Sequence, residues 1–340
     1  MKPTTLKDIA IKLNISVTTV SKALKGYSDV SKTTRAAVFE QAEKMNYSPN
    51  SVAVNLRTRQ TKTIGAIIPT ITHHFFSKVI DGIIEEAEKN GYLVIILQSE
   101  ESVKQEKKLI KLLMNKRVDG ILMSLAADND TSKHLKKVID AKIPLVLFDK
   151  ISKISNCSKV VINDREASYN ATTLLINSGC RRIAHFRGPL NPQNSIDRYL
   201  GYRKALEDNN IEFDRSLIYT CKNVTFEEGY KFAKEIHEQN KDVDAIFAIT
   251  DLVAVGAIAY LNKAGIKIPD EISVIGFSNW FMSAVISPPL TTVEQPGYKM
   301  GKKAVKLLFE EINSSNKGID FEPKTIVLKT KIIKRKTTFS

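Results

Sequence analysis

The chain has 340 residues, of which 43% are hydrophobic, and a formal net charge of +14, so it is long enough for two or three domains with cores of their own. Its three cysteines, Cys157, Cys180 and Cys221, form no CxxC pair, which argues against a disulfide framework or a zinc site and favours a reducing compartment. Because the N-terminus has no apolar signal core and Asp251 interrupts the longest apolar stretch, 245–261, we expect a cytoplasmic protein that spans no membrane.

The first two predicted elements are short amphipathic helices separated by a tight turn at Asn14-Ile15-Ser16. Apolar residues recur at steps of three and four, which gives each helix one buried face. These residues are Leu6, Ile9, Ala10 and Leu13 in the first helix and Val20, Ala23 and Leu24 in the second. Ser16 stands at the N-cap position of the second helix, where its hydroxyl can accept from free backbone amides. The pattern predicts a helix-turn-helix.

The outer surface of the second predicted helix is polar. It carries Thr18, Thr19, Ser21 and Lys22. Short hydroxyl side chains and one long cation can reach base edges and phosphates in a DNA groove. A third helix, over roughly 32–45, is expected to close the small core with Ala36, Ala37, Phe39 and Met45. Amphipathic helices alone are ordinary in soluble proteins, so the interpretation depends on the motifs around them.

Several motifs within the first sixty residues occur together and in order. They are Thr5-Leu6-Lys7-Asp8-Ile9-Ala10, Ser16-Val17-Thr18-Thr19-Val20-Ser21, Val30-Ser31, Asn46-Tyr47-Ser48-Pro49-Asn50, and Ala53 followed by Leu56. With them the sequence resembles the lactose-repressor (LacI/GalR) family of bacterial transcription regulators. The resemblance implies a helix-turn-helix DNA-binding domain over 1–48 and a hinge helix and linker over 49–61.

The resemblance also implies that the hinge segment folds on DNA and enters the minor groove beside its copy from a second subunit. Leu56 would then be the wedge that unstacks a base step, and the small Ala53 would permit close approach. The ordinary alternative for Leu56 is a core leucine. The residues expected to contact DNA are Thr5, Leu6, Ser16, Val17, Thr18, Thr19, Ser21, Lys22, Ser31, Asn50, Ala53, Leu56 and Arg57.

The charge distribution agrees with this placement of the DNA contacts. Residues 1–62 hold eleven Lys plus Arg and four Asp plus Glu, a net charge of +7, which is half of the chain's +14. A basic segment on a helix-turn-helix pattern is typical of a nucleic-acid footprint. We expect a homodimer that reads a palindromic double-stranded operator through two half-sites, with an affinity that falls steeply with salt.

From residue 63 onward, apolar strand-like runs alternate with helical patterns. Strands are expected at 64–69, 93–97, 120–124, 145–148, 183–186, 245–249, 273–277 and 291–293. Helices are expected at 77–90, 105–115, 166–178, 198–209, 226–238 and 251–264. Continuous apolar strands bounded by helices predict an α/β fold with doubly wound parallel sheets.

The resemblance extends from residue 62 to about residue 335 and implies a body similar to periplasmic sugar-binding proteins. Two lobes would be joined by three crossovers, with the effector in the cleft between them. The expected N-lobe is about 62–161 and 292–322, and the expected C-lobe is about 162–291 and 323–340.

Ligands bind a doubly wound sheet at the carboxyl ends of its strands, so the polar residues there are the candidates. By the resemblance, Asp149, Arg198 and Asp251 occupy the family's effector-binding positions. A carboxylate can accept from two sugar hydroxyls, and a guanidinium presents a rigid fork of donors. The residues expected to bind the effector are Thr72, His73, Phe75, Asp149, Arg198, Phe226, Thr250, Asp251 and Asn279.

The identity of the effector stays open. The chain has Thr250-Asp251 where the family usually has Asn-Asp, and Ser278-Asn279 where many members have an acidic pair. A sugar or sugar derivative is expected, with a phosphorylated metabolite, a purine or a protein co-regulator as alternatives. Lys150, Arg187 and Arg198 near the expected cleft keep a phosphorylated ligand possible.

Two other classes of protein fit less well. A solute-binding protein would have no use for the first sixty residues. An enzyme would need a nucleophile, an acid/base pair or a metal cluster, and none occurs at convincing spacing, so no catalytic or metal-binding residue is expected. No G-x-G-x-x-G follows a strand and no phosphate-binding G-x-x-x-x-G-K-[ST] is present, so no cofactor is expected.

Overall fold

The computed structural model describes residues 4–47, 60–127, 133–239 and 242–339. It divides into two compact units, Met1–Thr61 and Lys62–Ser340. The expected hinge contacts Asn50, Ala53, Leu56 and Arg57 lie outside the described residues. Among the described residues, no helix is both long and apolar enough to cross a bilayer.

The first unit contains three helices, α1 (Leu6–Leu13), α2 (Val17–Leu24) and α3 (Lys32–Lys44). Each begins at a hydroxyl residue whose side chain accepts from a backbone amide of the first turn; these N-caps are Thr5, Ser16 and Ser31. Asn14 ends α1 in the left-handed conformation, with φ of 53°, and thereby forms the turn between α1 and α2. The predicted helix-turn-helix is confirmed.

The expected core face of α3 is wrong. Ala36 and Ala37 are exposed and Phe39 is 50% exposed, whereas Val38 and Ala42 pack against α1 and α2. Of the four residues in 32–45 that were expected to close the core, only Met45 packs against it. The apolar residues of α3 are spread around the helix, so periodicity alone does not identify its buried face.

Sheet 1 is entirely parallel and has the strand order β11-β5-β4-β3-β1-β2. Its strands are β1 (Thr63–Ile68), β2 (Leu93–Gln98), β3 (Gly120–Met123), β4 (Leu145–Phe148), β5 (Ser158–Ile162) and β11 (Thr325–Leu328). The helices α4 (His74–Lys89), α5 (Val103–Asn115), α6 (Lys136–Asp140) and α12 (Gly297–Asn316) cover its two faces. Together they form the N-lobe.

Sheet 2 has the order β12-β10-β9-β8-β6-β7 and is parallel except for the β10–β12 pair. Its strands are β6 (Ile183–Arg187), β7 (Ile218–Thr220), β8 (Ala245–Ala248), β9 (Ser273–Phe277), β10 (Thr291–Glu294) and β12 (Lys331–Ile333). The helices of this lobe are α7 (Asp164–Asn177), α8 (Gln193–Asp208), α9 (Phe226–Glu238), α10 (Asp251–Lys263) and α11 (Met282–Val285). Together they form the C-lobe.

The chain crosses between the two sheets after β5, after β10 and after β11. Two of the expected lobe boundaries are therefore wrong. The segment 292–294 belongs to the C-lobe, because β10 pairs with β9, and 325–328 belongs to the N-lobe, because β11 pairs with β5. The twenty-residue helix α12, which was not expected, lies between β10 and β11. The chain therefore crosses from sheet 2 to sheet 1 before α12 and returns to sheet 2 after β11.

The eight expected strands are all present, with ends shifted by at most one residue. The unexpected strands β5, β7, β11 and β12 are short and have half-buried or exposed positions, so they lack the continuous apolar run that marks a central strand. The largest shift among the expected helices is in α8, which begins at Gln193 and places Arg198 in its second turn.

Candidate functional site

On α2 some candidates for DNA contact are exposed, and others form hydrogen bonds within the helix. Val17 is 43% exposed, and Thr18 is fully on the surface. The hydroxyl of Ser16 accepts from the Thr19 amide at 3.0 Å and lies 2.8 Å from the Thr19 hydroxyl, so both serve the N-cap. Thr18 and Val17 are therefore the side chains of this surface that are free to contact a base.

Lys22 extends from the same helix and forms an ion pair with Asp29. Both side chains are about half exposed, and the hydrogen bond to Asp29 raises the pKa of Lys22. Such an exposed pair is weak and can be exchanged for a phosphate oxygen.

Three other expected DNA contacts take part in the fold of this unit. Thr5 and Ser31 are N-caps, and Leu6 packs partly against the core. Free amides at a helix N-terminus are suited to a phosphate, so the two caps remain compatible with backbone contact. Ser21 is half-buried on α2.

A cavity of about 550 Å³ lies between the two lobes. It is lined by the segments that follow the carboxyl ends of strands in both sheets, as the sequence predicts. Six of the nine expected effector-binding residues line it: Thr72, His73, Phe75, Asp149, Arg198 and Thr250. Phe226, Asp251 and Asn279 do not.

Asp149 follows β4 and is only 8% exposed. Its backbone has a φ of 57°, the left-handed region that Asp and Asn tolerate better than most residues. Burial raises the pKa of its carboxyl, while Arg198, Lys150 and a hydrogen bond from Asn194 act in the opposite direction. Asn194 belongs to the C-lobe and lines the same cavity.

Arg198 is 4% exposed and much of its guanidinium is already engaged. Its Nε donates to Asp164 Oδ1 at 2.8 Å and its Nη1 donates to the Ile249 carbonyl at 2.9 Å. The guanidinium carbon lies 3.6 Å from the centre of the Phe277 ring. Burial raises the pKa of Asp164 to about 7 despite this partner. Arg198 thus holds the floor of the cavity together.

Three buried polar atoms at the cavity have no hydrogen-bond partner among the described residues. They are His73 Nδ1, Ser195 Oγ and Gln295 Nε2. The hydroxyl of Ser278 donates to Gln295 Oε1 at 2.7 Å, which orients the amide and leaves Nε2 as a donor. Burial lowers the pKa of His73 to about 4, so its ring is neutral at pH 7. A ligand that both donates and accepts could satisfy these atoms.

Ser195 and Gln295 were not among the residues expected to bind the effector. Ser195 lies in the first turn of α8, which begins earlier than expected, and Gln295 follows the last residue of β10 at a crossover. The rule that ligands gather at carboxyl ends of strands could have identified Gln295, since β10 itself was expected.

The charged groups around the cavity balance one another. Glu100, Glu101 and Asp149 face Lys150, Arg198 and Lys222. Lys150 is paired with Glu101, and Arg198 with Asp164. Arg187, a further cation considered for the ligand, does not line the cavity, and its guanidinium lies 4.3 Å from the Tyr199 ring centre.

Asp251 is buried behind the cavity and lines a smaller adjoining space of about 110 Å³. Its carboxylate accepts from the Thr292 hydroxyl at 2.5 Å and from the Trp280 amide at 2.6 Å. Burial raises the pKa of Asp251 to about 6. Asp251 therefore fixes the connection between β9 and β10.

Asn279 and Phe226 are engaged elsewhere in the C-lobe. The amide of Asn279 donates to Glu294 at 3.2 Å and accepts from Arg335 at 2.8 Å. The Phe226 ring lies beside Tyr230, with centroids 6.4 Å apart. Within the described part of the chain, no cluster of His, Cys, Asp or Glu is arranged to hold a metal ion.

Two family models together match most of the chain. The one described as "Periplasmic binding proteins and sugar binding domain of LacI family" matches residues 61–331, and the one described as "Bacterial regulatory proteins, lacI family" matches residues 5–50. The "HTH-type transcriptional repressor PurR" of Vibrio atlanticus (strain LGP32) is 34% identical over 335 residues, which cover 98% of each protein.

Two solved structures are similar over almost the whole length. The lac repressor dimer bound to operator and the anti-inducer ONPF is 25% identical, with a TM-score of 0.87 and 100% of both chains covered. The complex of the transcriptional regulator CelR with cellobiose is 26% identical, with a TM-score of 0.74, and the match covers 98% of this chain and 99% of that one.

Proposed function

The chain belongs to the LacI family of bacterial transcriptional regulators, and we propose that it represses genes of carbohydrate use through a neutral, hydroxyl-rich effector in the interlobe cavity. A homodimer binds a palindromic operator with α2 of each subunit in the major groove. Thr18 and Val17 read base edges, and Lys22 exchanges Asp29 for DNA. The hinge residues Asn50, Ala53, Leu56 and Arg57 contact the minor groove.

The observation that carries the effector class is the set of buried polar atoms without partners. His73 Nδ1, Ser195 Oγ and Gln295 Nε2 lie around the cavity. A buried donor or acceptor without a partner costs free energy, so a ligand that satisfies it gains affinity. Sugar hydroxyls donate and accept at once, which suits a neutral histidine, a hydroxyl and an amide together.

The paired charges argue against a phosphorylated effector. A phosphate would need a cation that is free to bind it, ideally with bidentate geometry. Of the three cations at the cavity, Lys150 is paired with Glu101, and Arg198 donates to Asp164 and the Ile249 carbonyl, so either would have to leave its partner to bind a phosphate. The exposed Lys222 forms no ion pair with a described residue, which leaves a single lysine without bidentate geometry for a phosphate. Glu100 and Asp149 at the same cavity would repel the added negative charge.

A purine base is the second candidate, because a relative that covers nearly the whole chain carries the name PurR. Flat bases are commonly held by stacking on aromatic side chains. Phe75 and Phe76 at the cavity wall are each 4% exposed and pack edge to face against each other, 5.3 Å between centroids. They present little ring surface for stacking, so the sugar is favoured.

A thermal-shift screen of the purified chain tests the effector class. Monosaccharides, disaccharides, sugar phosphates and purine bases are compared at equal concentration. A ligand at a hundredfold excess over Kd stabilises the native state by roughly 2.7 kcal/mol, which is readily visible. Neutral sugars should raise Tm, and the shift should be lost in Asp149→Asn. Asparagine retains the left-handed backbone preference of this position, so the variant tests the carboxylate alone.

Other outcomes would select another effector. A shift from a sugar phosphate only would show that Lys222 binds the phosphate or that Lys150 or Arg198 leaves its partner. A shift from purine bases only would replace the sugar by the second candidate. A sugar shift that persists fully in Asp149→Asn would remove Asp149 from the site.

A further inference from the structure

Helix α5 of the N-lobe has an outer face whose exposed charged residues are all cationic. Lys104, Lys107, Lys108 and Lys111 recur at steps of three and four residues and are all exposed. The one acidic residue of the helix, Glu106, is fully buried, where its carboxylate accepts from the Ala126 amide and lies 2.8 Å from His134 Nε2. No negative charge therefore remains on the outer face of α5.

Several lysines on other helices of this unit are neutralised by an acid on the same helix. Ion pairs with an acid four residues away occur on α4, α8 and α9: Lys89 with Glu85, Lys204 with Asp208, Lys231 with Glu235, and Lys234 with Glu238. None of the four α5 lysines forms an ion pair with a residue that the structure describes. Like charges at this spacing destabilise a helix, so an unneutralised stripe is a departure from the pattern of the same molecule.

The cationic surface continues onto the neighbouring helix. The segments 103–117 and 133–142 contribute Leu109, Leu113, Leu135 and Val138 to the same hydrophobic cluster beside sheet 1, and His134 of the second segment contacts Glu106 of the first. We call their exposed cations the lysine face: Lys104, Lys107, Lys108, Lys111, Lys116, Arg117, Lys133, Lys136, Lys137 and Lys142. In these two segments Asp140 is the exposed acid.

The composition of this surface favours a nucleic-acid backbone over a protein. Centres of protein interfaces are enriched in aromatic residues and depleted in lysine. The large apolar side chain exposed on α5 is Leu112, which is 43% exposed. The segments 103–117 and 133–142 contain no Phe, Tyr or Trp. Lysine is a point charge on a flexible stem, suited to phosphates without base specificity. The stripe from Lys104 to Lys111 spans about 10 Å, the distance over which one DNA strand presents about three phosphates.

We propose that the lysine face is a second, sequence-independent contact surface for double-stranded DNA, carried by the effector-binding unit. It adds phosphate contacts outside the helix-turn-helix and increases the affinity of the whole chain for any long duplex. Because these contacts release counterions, they steepen the dependence of binding on salt.

The test measures binding of the full chain to a fluorescent duplex of random sequence, about 60 base pairs long, over a series of KCl concentrations. The test variant is Lys104→Gln, Lys107→Gln, Lys108→Gln and Lys111→Gln combined. Each lysine that neutralises a phosphate contributes about 0.9 to the slope of log K against log salt, so the slope should become shallower by about 2 to 4. At low salt the affinity should fall at least tenfold.

The matched control removes the same charge from paired lysines elsewhere: Lys89→Gln, Lys204→Gln, Lys231→Gln and Lys234→Gln. Its slope should change by less than about 1. Urea unfolding followed by the single tryptophan, Trp280, verifies that both variants are folded. Equal losses in the two variants would reduce the effect to net charge and overturn the proposal, as would a native-like slope in the test variant.

Poly-L-glutamate separates DNA from an acidic protein partner. The native chain should bind the duplex more tightly than a polyglutamate of equal charge, and the test variant should lose more affinity for the duplex. If the variant instead loses mainly its affinity for polyglutamate, the lysine face is a docking surface for an acidic protein and the DNA proposal is wrong.

Discussion

The exposed surface of α2, which is proposed to contact DNA, and the interlobe cavity use their candidate residues differently. Val17 and Thr18 are exposed and lie outside the core of their unit. Asp149 and Arg198 are 8% and 4% exposed, and Arg198 holds Asp164 and the Ile249 carbonyl in place. Under the proposed function, recognition of DNA is separable from stability in the first unit, whereas in the second unit the cavity residue Arg198 also holds elements of the C-lobe together.

The substitution Arg198→Met should have the largest effect on the free energy of unfolding. The change leaves Asp164 buried without its guanidinium partner, and breaking a buried ion pair on one side costs about 3 to 5 kcal/mol. The free energy of unfolding of the second unit should fall by this amount in urea titrations followed by Trp280 fluorescence.

Arg203→Met on the same helix is the control, because Arg203 is exposed and its guanidinium lies 4.8 Å from the Phe213 ring centre. It should cost about 1 kcal/mol or less. Similar losses in the two variants would mean that the cavity residue has no special structural role.

A second test uses the pH dependence of stability. Burial raises the pKa of Asp251 to about 6, above its ordinary value of 3.8. Its favourable contribution is therefore complete below pH 4 and is lost as the pH rises through 6, by about 3 kcal/mol at most. Asp251→Asn does not titrate, so its deficit in unfolding free energy relative to the native chain should shrink between pH 4 and pH 7.

The exposed Asp270→Asn is the matched control for this measurement. Urea unfolding at intervals of half a pH unit gives the difference directly. A deficit of Asp251→Asn that grows toward neutral pH has the wrong sign and would show that the carboxylate is ionised and stabilising in the folded chain.

Thr18→Ala tests whether recognition of DNA by α2 is separable from stability. A base contact discriminates between operators by about 1 to 3 kcal/mol, whereas an exposed substitution changes stability by no more than about 0.5 kcal/mol. Binding to an operator selected from random duplexes, and to the same operator with single base changes, should reveal altered preference with unchanged unfolding. A uniform loss across all sequences would reassign Thr18 to phosphate contact.

Ser16→Ala should produce the smallest effect. In Ser16 the two roles overlap, because its hydroxyl caps α2 and the residue is also a candidate for contact with DNA. Loss of the bond to the Thr19 amide should destabilise the first unit by about 1 kcal/mol. Thermal unfolding of helix, followed by far-ultraviolet circular dichroism, measures it. Ser16→Asn can still cap and should recover most of the loss; if it does not, the hydroxyl has another role.

The sequence could predict which side chains of α2 are exposed, because the pattern is local. Ser16, Thr18 and Val20 lie within one helix of eight residues, where spacing determines which side chains are buried. Prediction failed for α3, where apolar residues surround the helix and only packing against α1 and α2 selects Val38 and Ala42.

The cavity was predictable in part for a related reason. Asp149 and Thr250 follow fully buried strands, whose carboxyl ends are expected at the ligand site. Asp251 and Asn279 follow strands as well, yet Thr292, Trp280 and Arg335 engage them. Those partners come from 13 to 56 residues away along the chain, and such long-range pairing has no periodic signal in a single sequence.

The most direct test of a ligand-controlled repressor is a titration of a selected palindromic operator, with and without the sugar that raises Tm most. We expect the sugar to change the operator affinity of the native chain by about 5- to 150-fold, a coupling of 1 to 3 kcal/mol, and to leave the operator affinity of Asp149→Asn unchanged. An operator affinity that stays constant while the sugar is bound would show that the chain is not a ligand-controlled repressor.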